Sequence, residues 1–249
     1  QDRQHKKNHL HPTARRTFGY LKIELIKKHY PTMKNIILTD WGTIDYREAW
    51  RRQEEIFDRQ IDNKQNKLPT ENNLIFCEHP HVYTIGKSGN AGNMLIDDGT
   101  VPVYRTDRGG DITYHGFGQI VGYPVFDLES LGIGLREYIT RLEEAVIRLL
   151  GDYDIEGGHY AEGTGVWIDT ALPSKTRKIC AIGVRSSRYV TMHGFALNVN
   201  TDLSYFGRIN PCGFTDRGVT SMKKELGKNL DIEEVKQKLF KHIEEVFYK

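Results

Sequence analysis

The spacing of apolar positions changes along this chain, and each change marks an element. Ile36-Ile37-Leu38 is an unbroken apolar run closed at Asp40-Trp41-Gly42, as expected of a buried strand ending in a turn. Asp45 and Glu48 stand at capping-box spacing, and Trp50, Phe57 and Ile61 fall near one face of the helix they open; residues 64–73 are then polar connector. Leu74-Ile75-Phe76-Cys77, Val101-Pro102-Val103-Tyr104 and Ile120-Val121-Gly122-Tyr123-Pro124-Val125 read as strands separated by glycine-rich loops. Leu135, Tyr138, Ile139, Leu142, Ala145, Val146 and Leu149 repeat at helical spacing as far as Gly151. Gly165-Val166-Trp167-Ile168, residues 179–184 and residues 193–199 return to strand patterning. Asp231 with Glu234 caps a last helix carrying Ile232, Val235, Leu239, Ile243 and Val246 on one face. Strands and helices mixed in this way predict an α+β (mixed α/β) chain.

Composition narrows the picture. With 249 residues, 38% of them hydrophobic, the chain can bury one core, and a single catalytic domain over 35–249 is expected. A formal charge of +2 gives no field that would draw nucleic acid. No apolar run approaches the ~20 residues of a membrane span, and no signal-peptide pattern opens the chain. Three cysteines at unrelated spacings, Cys77, Cys180 and Cys212, argue against a disulfide framework and for a reducing, cytoplasmic setting. Residues 1–34 hold nine Lys/Arg against two acidic residues, which fits a solvated basic extension better than a targeting segment.

Candidate chemistry concentrates in a few places. Asn210-Pro211-Cys212-Gly213 sets a cysteine between a residue that fixes φ and one that tolerates any φ, a loop suited to presenting a nucleophile with a backbone amide near Gly213 facing an oxyanion. An inert loop cysteine fits these four residues equally well. A thiol of ordinary pKa is only a few per cent thiolate at neutral pH, so catalysis needs a cation or base beside it. Lys178, which opens the apolar residues 179–184, is the leading candidate, although Lys175 and Arg177 stand close in sequence. Cys180 shares a strand face with Lys178 and reads as a small buried hydrophobe.

The stretch Arg108-Gly109-Gly110-Asp111-Ile112-Thr113-Tyr114-His115-Gly116-Phe117-Gly118-Gln119 interleaves glycines with polar and aromatic side chains. It reads as a substrate-binding loop in which the backbone can approach a ligand while Arg108 and His115 offer donors. Nucleotide motifs are incomplete: the phosphate-loop frame ending in Gly86-Lys87-Ser88 meets His81 where it needs glycine, and the G-x-G-x-x-G frame from Gly116 meets Val121. Cys77, His79 and His81 alternate, but same-face strand positions ~6.6 Å apart do not easily converge on one ion, and two turn histidines are the better reading, with no metal.

Taken together, residues 108–119, Arg177-Lys178-Ile179-Cys180-Ala181-Ile182-Gly183, His193-Gly194-Phe195-Ala196-Leu197-Asn198-Val199-Asn200 and Ile209-Asn210-Pro211-Cys212-Gly213 resemble the lipoyl(octanoyl) transferase family, in the family's order, with His79-Pro80-His81-Val82-Tyr83-Thr84-Ile85-Gly86 as a fifth segment. The resemblance runs from about Ile36 to Met222. It implies the fold of biotin and lipoate protein ligases, a larger mixed sheet plus a smaller one flanked by helices. It implies Cys212 as the acyl-thioester cysteine and Lys178 as the lysine that lowers its pKa. Arg108, Gly109, Gly110, Asp111, Ile112, Thr113, Tyr114 and His115, with Ala181, Ile182, Gly183 and Gly194, Phe195, Ala196, would bind substrate. The implied donor is octanoyl-acyl carrier protein. The implied acceptor is a lysine of the lipoyl domains of 2-oxoacid dehydrogenase complexes or of the glycine cleavage H protein, with no cofactor. Asp111 stands where the family commonly has Gln and Phe117 where it commonly has Pro, departures that bear on chain-length preference. The rival readings are an ATP-dependent lipoate or biotin ligase, which needs no nucleophilic cysteine, and a non-catalytic acyl-binding module.

Overall fold

Strand alternation sorts the apolar residues between two faces of one sheet. The computed structural model describes residues 35–210 and 217–248. Its larger sheet runs in the order β1 (Ile36–Thr43), β2 (Asn72–Glu78), β6 (Gln119–Val125), β10 (Val190–Asn198), β9 (Arg177–Ser187), β8 (Gly163–Ile168) and β7 (Gly157–Tyr160), with β11 (Gly218–Val219) paired to β9. β1 and β11 pair in parallel and the other strands antiparallel, so the sheet is mixed. On β2, Leu74 and Phe76 join one core cluster while Ile75 and Cys77 join another, as a period of two requires. The first cluster takes its helical half from α3 (Leu135–Gly151) and α5 (Ile232–Tyr248), through Leu142, Val146 and Leu149 on one and Val235, Leu239 and Ile243 on the other. Ala49 and Phe57 of α1 (Tyr46–Gln65) cover the second, and the short helices α2 (Leu128–Leu131) and α4 (Met222–Leu226) add Leu128 and Met222 to the first. Burying faces of this size is the main stabilising contribution, at about 25 cal/mol per Å² of apolar surface.

The helix ends follow their capping residues. The Asp45 carboxylate accepts from the amides of Arg47 and Glu48 at 2.9 and 3.1 Å. Glu48 turns outward to Arg51 and Arg52, so the box is not reciprocal. Asp231 accepts from the amides of Glu233 and Glu234 in the same way.

A smaller sheet, β4 (Val103–Arg105), β3 (Val82–Ile85) and β5 (Ile112–His115), closes over a third cluster of Tyr83, Ile85, Val101, Ile112, Tyr114 and Ile209. Here the sequence expectation shifts. Part of the glycine-rich stretch is the strand β5, paired with β3, and Val101-Pro102 lies before β4. Pro102 has no N–H to give a ladder, and its carbonyl instead accepts from the Tyr83 amide at 2.9 Å. β1 runs past Asp40 to Thr43, and the polar connector begins only after Gln65. Among the described residues no helix is long and apolar enough to cross a membrane.

Candidate active site

A cavity of about 530 Å³ opens where β9 and β10 meet the loop before β5. Gly183 faces Gly194 across the two strands, and the Gly109 amide donates to the Val184 carbonyl at 2.8 Å, so the loop is stitched onto the strand pair. This approach needs a glycine: a Cβ on Gly183 would fall 2.8 Å from the Gly109 carbonyl oxygen and 3.2 Å from Arg108 Cδ. The lining brings together Arg108, Gly109, Gly110, Asp111, Ile112, Thr113 and His115 with Lys178, Ala181, Ile182, Gly183, Gly194, Phe195 and Ala196. Segments separated by some seventy residues thus converge on one space.

Beneath the lining runs a chain of polar groups. Arg108 Nη2 donates to the Thr84 carbonyl at 2.7 Å, to Thr84 Oγ1 at 2.8 Å and to the Asp111 carbonyl at 2.8 Å. His115 donates from Nδ1 to Gln119 Oε1 at 2.8 Å, which leaves Nε2 to accept from the Thr84 hydroxyl at 3.3 Å. Gln119 Nε2 donates to Asn198 Oδ1 at 2.9 Å, and Asn198 Nδ2 to the Thr220 carbonyl at 3.0 Å. Full burial holds His115 neutral, pushing its pKa down to about 3. The donors expected to meet substrate from Arg108 and His115 are thus engaged in shaping the loop, because buried polar groups are satisfied first within the protein.

Lys178 is buried at the start of β9, with its ammonium over the Trp167 ring. β11 lies against it: Val219 pairs with Lys178, and the Thr220 amide donates to the Lys178 carbonyl at 2.9 Å. Cys212 lies outside the described residues, but both flanks of its segment are placed. The Asn210 amide donates to the Asn93 carbonyl at 2.8 Å, and Arg217 leads into β11. Cys180 is fully buried in the core, where burial pushes its thiol pKa up.

The comparisons with known proteins agree with this geometry. Residues 45–244 match the model of the lipoyl protein ligase A/B catalytic domain. An octanoyltransferase of Bacteroides fragilis is 56% identical over 208 residues, covering 82% of this chain and 94% of that protein. One of Parabacteroides distasonis is 53% identical over 220 residues, covering 86% of this chain and all of that protein. The chain belongs to the lipoyl protein ligase A/B catalytic-domain family, among its octanoyltransferases. A bipartite lipoate protein ligase of Thermoplasma acidophilum shares the fold at 17% identity, with a TM-score of 0.60 over 85% of this chain and 82% of that one. A lipoate-protein ligase A bound with ATP does so with a TM-score of 0.59 at 17% identity, over 85% and 84%.

In this octanoyltransferase-family chain, one of the two departures from the common pattern, Asp111, lines the cavity and the other does not. The Asp111 carboxylate accepts from the Ile112 and Asn90 amides at 2.7 and 3.1 Å and from Asn93 Nδ2 at 2.5 Å, so it organises the neighbouring loop. Phe117 is half exposed, edge-on to His81, and outside the lining. Tyr114 also differs from expectation: alternation along β5 turns it into the small-sheet core, stacked on Tyr205 at 4.9 Å. His79 stands in the short link between β2 and β3, as expected of a turn histidine. It is buried, donating from Nδ1 to the Ile44 carbonyl at 2.7 Å and accepting at Nε2 from the Tyr123 hydroxyl at 2.6 Å, and burial pulls its pKa to about 4. His193 and Tyr46, both lining the cavity, were not singled out, and neither was Asp107, which accepts from His193 Nε2. His193 was visible as the first residue of a quoted motif; Asp107 and Tyr46 carried no local signal.

Proposed function

We propose that this enzyme moves an octanoyl group from acyl carrier protein to a lysine of a lipoyl domain through a thioester on Cys212, with Lys178 stabilising the thiolate. As a member of the octanoyltransferases it is an acyltransferase of protein lipoylation. The observation that carries the two-residue reading is the anchoring of the cysteine's segment: Val219, seven positions beyond Cys212, lines the cavity and pairs with Lys178.

In the first step the Cys212 thiolate attacks the donor thioester carbonyl, and the carrier thiolate leaves and takes up a proton. One thioester replaces another, so the enzyme lowers a barrier through proximity rather than driving an equilibrium. In the second step the acceptor lysine amine attacks the acyl-enzyme. An amide forms, the Cys212–acyl bond breaks, and the departing thiolate accepts the proton the amine gives up. Thioester to amide runs downhill without ATP. Leu135, Ile139, Ile182, Val184, Phe195 and Phe206 supply apolar lining for the alkyl chain. Its six or so methylenes are worth roughly 5 kcal/mol at ~0.8 kcal/mol each, before ordering costs.

The test is intact-protein mass spectrometry after mixing with octanoyl-acyl carrier protein and no ATP. A thiol-labile octanoyl adduct is expected on the parent, absent in Cys212→Ser and slowed in Lys178→Ala. A folded parent with no adduct and an ATP requirement for acylation would replace this reading with a ligase.

A further inference from the structure

The β7–β8 hairpin carries two aromatic rings in series beside Lys178. The Lys178 ammonium lies 4.5 Å from the centre of the Trp167 ring. That ring is 5.0 Å from the ring of Tyr160, inclined at 49°. The Arg217 guanidinium stands 5.9 Å over Tyr160, its Nε donating to the Tyr160 hydroxyl at 3.2 Å. Arg217 Nη2 is also 3.6 Å from Glu162 on the hairpin turn. Arg217 is the first described residue after the segment that bears Cys212, so one hairpin touches both the lysine and the cysteine's flank.

This arrangement depends on a register shift. Val166 pairs with Cys180, and a regular antiparallel ladder would then set Trp167 opposite Ile179. The shift between Val166 and Trp167 sets it opposite Lys178 instead. Gly165, at φ +117°, permits the irregularity, because a Cβ there would sit 2.3 Å from the Cys180 carbonyl oxygen. Glu143 of α3 holds the strand at this point by accepting from the Gly165 amide at 2.8 Å, and it also accepts from His159 at 2.9 Å. Trp167 is almost fully buried and donates from Nε1 to the Gly163 carbonyl at 2.8 Å, which fixes its ring plane.

A lysine has four rotatable bonds, and an ammonium must be ordered to act on one thiolate. A buried indole face attracts a cation through its quadrupole and supplies part of that order. We propose that Trp167, backed by Tyr160, is a positioning residue that fixes the Lys178 ammonium at the end of the cavity where β11 leaves the cysteine-bearing segment. The inference rests on the Cys212–Lys178 reading.

The experiment is the pH dependence of Cys212 alkylation by iodoacetamide, followed by peptide mass spectrometry so that Cys77 and Cys180 do not contribute, with thermal melting of every variant. Lys178→Ala and Trp167→Leu are both expected to move the thiol midpoint to higher pH and to slow alkylation at pH 7 about tenfold, whereas Trp167→Phe keeps a ring face and stays within about threefold of the parent. If Lys178→Ala leaves the midpoint unmoved, the two-residue reading fails and the inference with it. If Lys178→Ala moves the midpoint and a Trp167→Leu protein melting with the parent does not, the inference alone is overturned. Should Trp167→Leu not fold, Tyr160→Leu decides: a shift to higher pH supports the positioning unit, and a parental midpoint overturns it.

Discussion

Asp107 accepts a hydrogen bond from His193 Nε2 at 2.7 Å across 86 positions of sequence. The same carboxylate pairs with Arg185, and His193 is held at φ +60°, a region that costs a non-glycine residue about 1 kcal/mol or more. Replacing Asp107 with Ala leaves a buried imidazole N–H without its acceptor, which costs about 1–3 kcal/mol. The urea midpoint is expected to fall accordingly at an unchanged m-value. Because His193 lines the cavity, kcat/KM for octanoyl transfer should also drop, roughly tenfold. The pH profile of Cys212 alkylation should stay parental, since β9 separates His193 from Lys178 by six positions beyond its partner Val184.

Gly183→Ala probes the seat of the substrate loop. The added methyl would meet the Gly109 carbonyl at 2.8 Å, and backbone cannot swing aside as a side chain can. The loop should shift while the sheet persists. We expect at least a tenfold rise in KM for the acyl donor, with a melting temperature within a few degrees of the parent. Parental KM would show that the loop's contact with β9 does not shape the cavity.

How far the sequence carried is visible in individual residues. The α3 and α5 stripes and the β2, β6 and β10 runs were legible because burial repeats at 3.6 or 2 positions, a local property. Gly183 and Gly194 were legible as motif members, and the structure gives the reason by bringing β9 and β10 against the loop. Asp107 was not legible, since its meaning comes from His193, which only the fold brings near. Tyr114, expected among the substrate-binding residues, faces the small-sheet core for a related reason: its face depends on the register of β5 with β3, where Tyr114 pairs with Tyr83, and the glycines around it hid the strand. Trp167 looked like an ordinary strand residue because the shift that aims it at Lys178 is a pairing event between two strands.

The buried cysteines give a clean labelling prediction. Cys77 and Cys180 have no exposed surface, and burial raises both thiols well above the ordinary range. Neither should react with iodoacetamide in the native protein at pH 8, and both should react in guanidinium. Native labelling of Cys180 at a rate near that of Cys212 would make it a rival nucleophile and would undo its assignment to the core.

Two buried neutral histidines should set the acid limit of stability. His79 and His115 have folded pKa values of about 4 and about 3, below the ~6.5 of an unfolded histidine. Between pH 6.5 and 4 the unfolded chain therefore binds protons at these sites that the native chain does not, so stability rises with pH and is lost as pH falls through this window. Each site costs about 1.6 kcal/mol on going from pH 6.5 to 5, because the unfolded imidazole is half protonated at pH 6.5 and the slope reaches 1.36 kcal/mol per pH unit only below that. The carboxylates whose pKa values lie below normal, Glu48, Asp98, Asp107, Asp202, Glu225 and Glu234, lose their stabilising share from about pH 5 downward, so the upper part of the window belongs to the histidines. Urea unfolding followed from pH 7 to 4.5 should give a slope of about two protons or more taken up on unfolding, since burial also holds the His193 imidazole below the ordinary range. His115→Gln, which keeps a donor for Gln119, should reduce that slope by about one proton; an unchanged slope would mean that His115 is protonated in the native state.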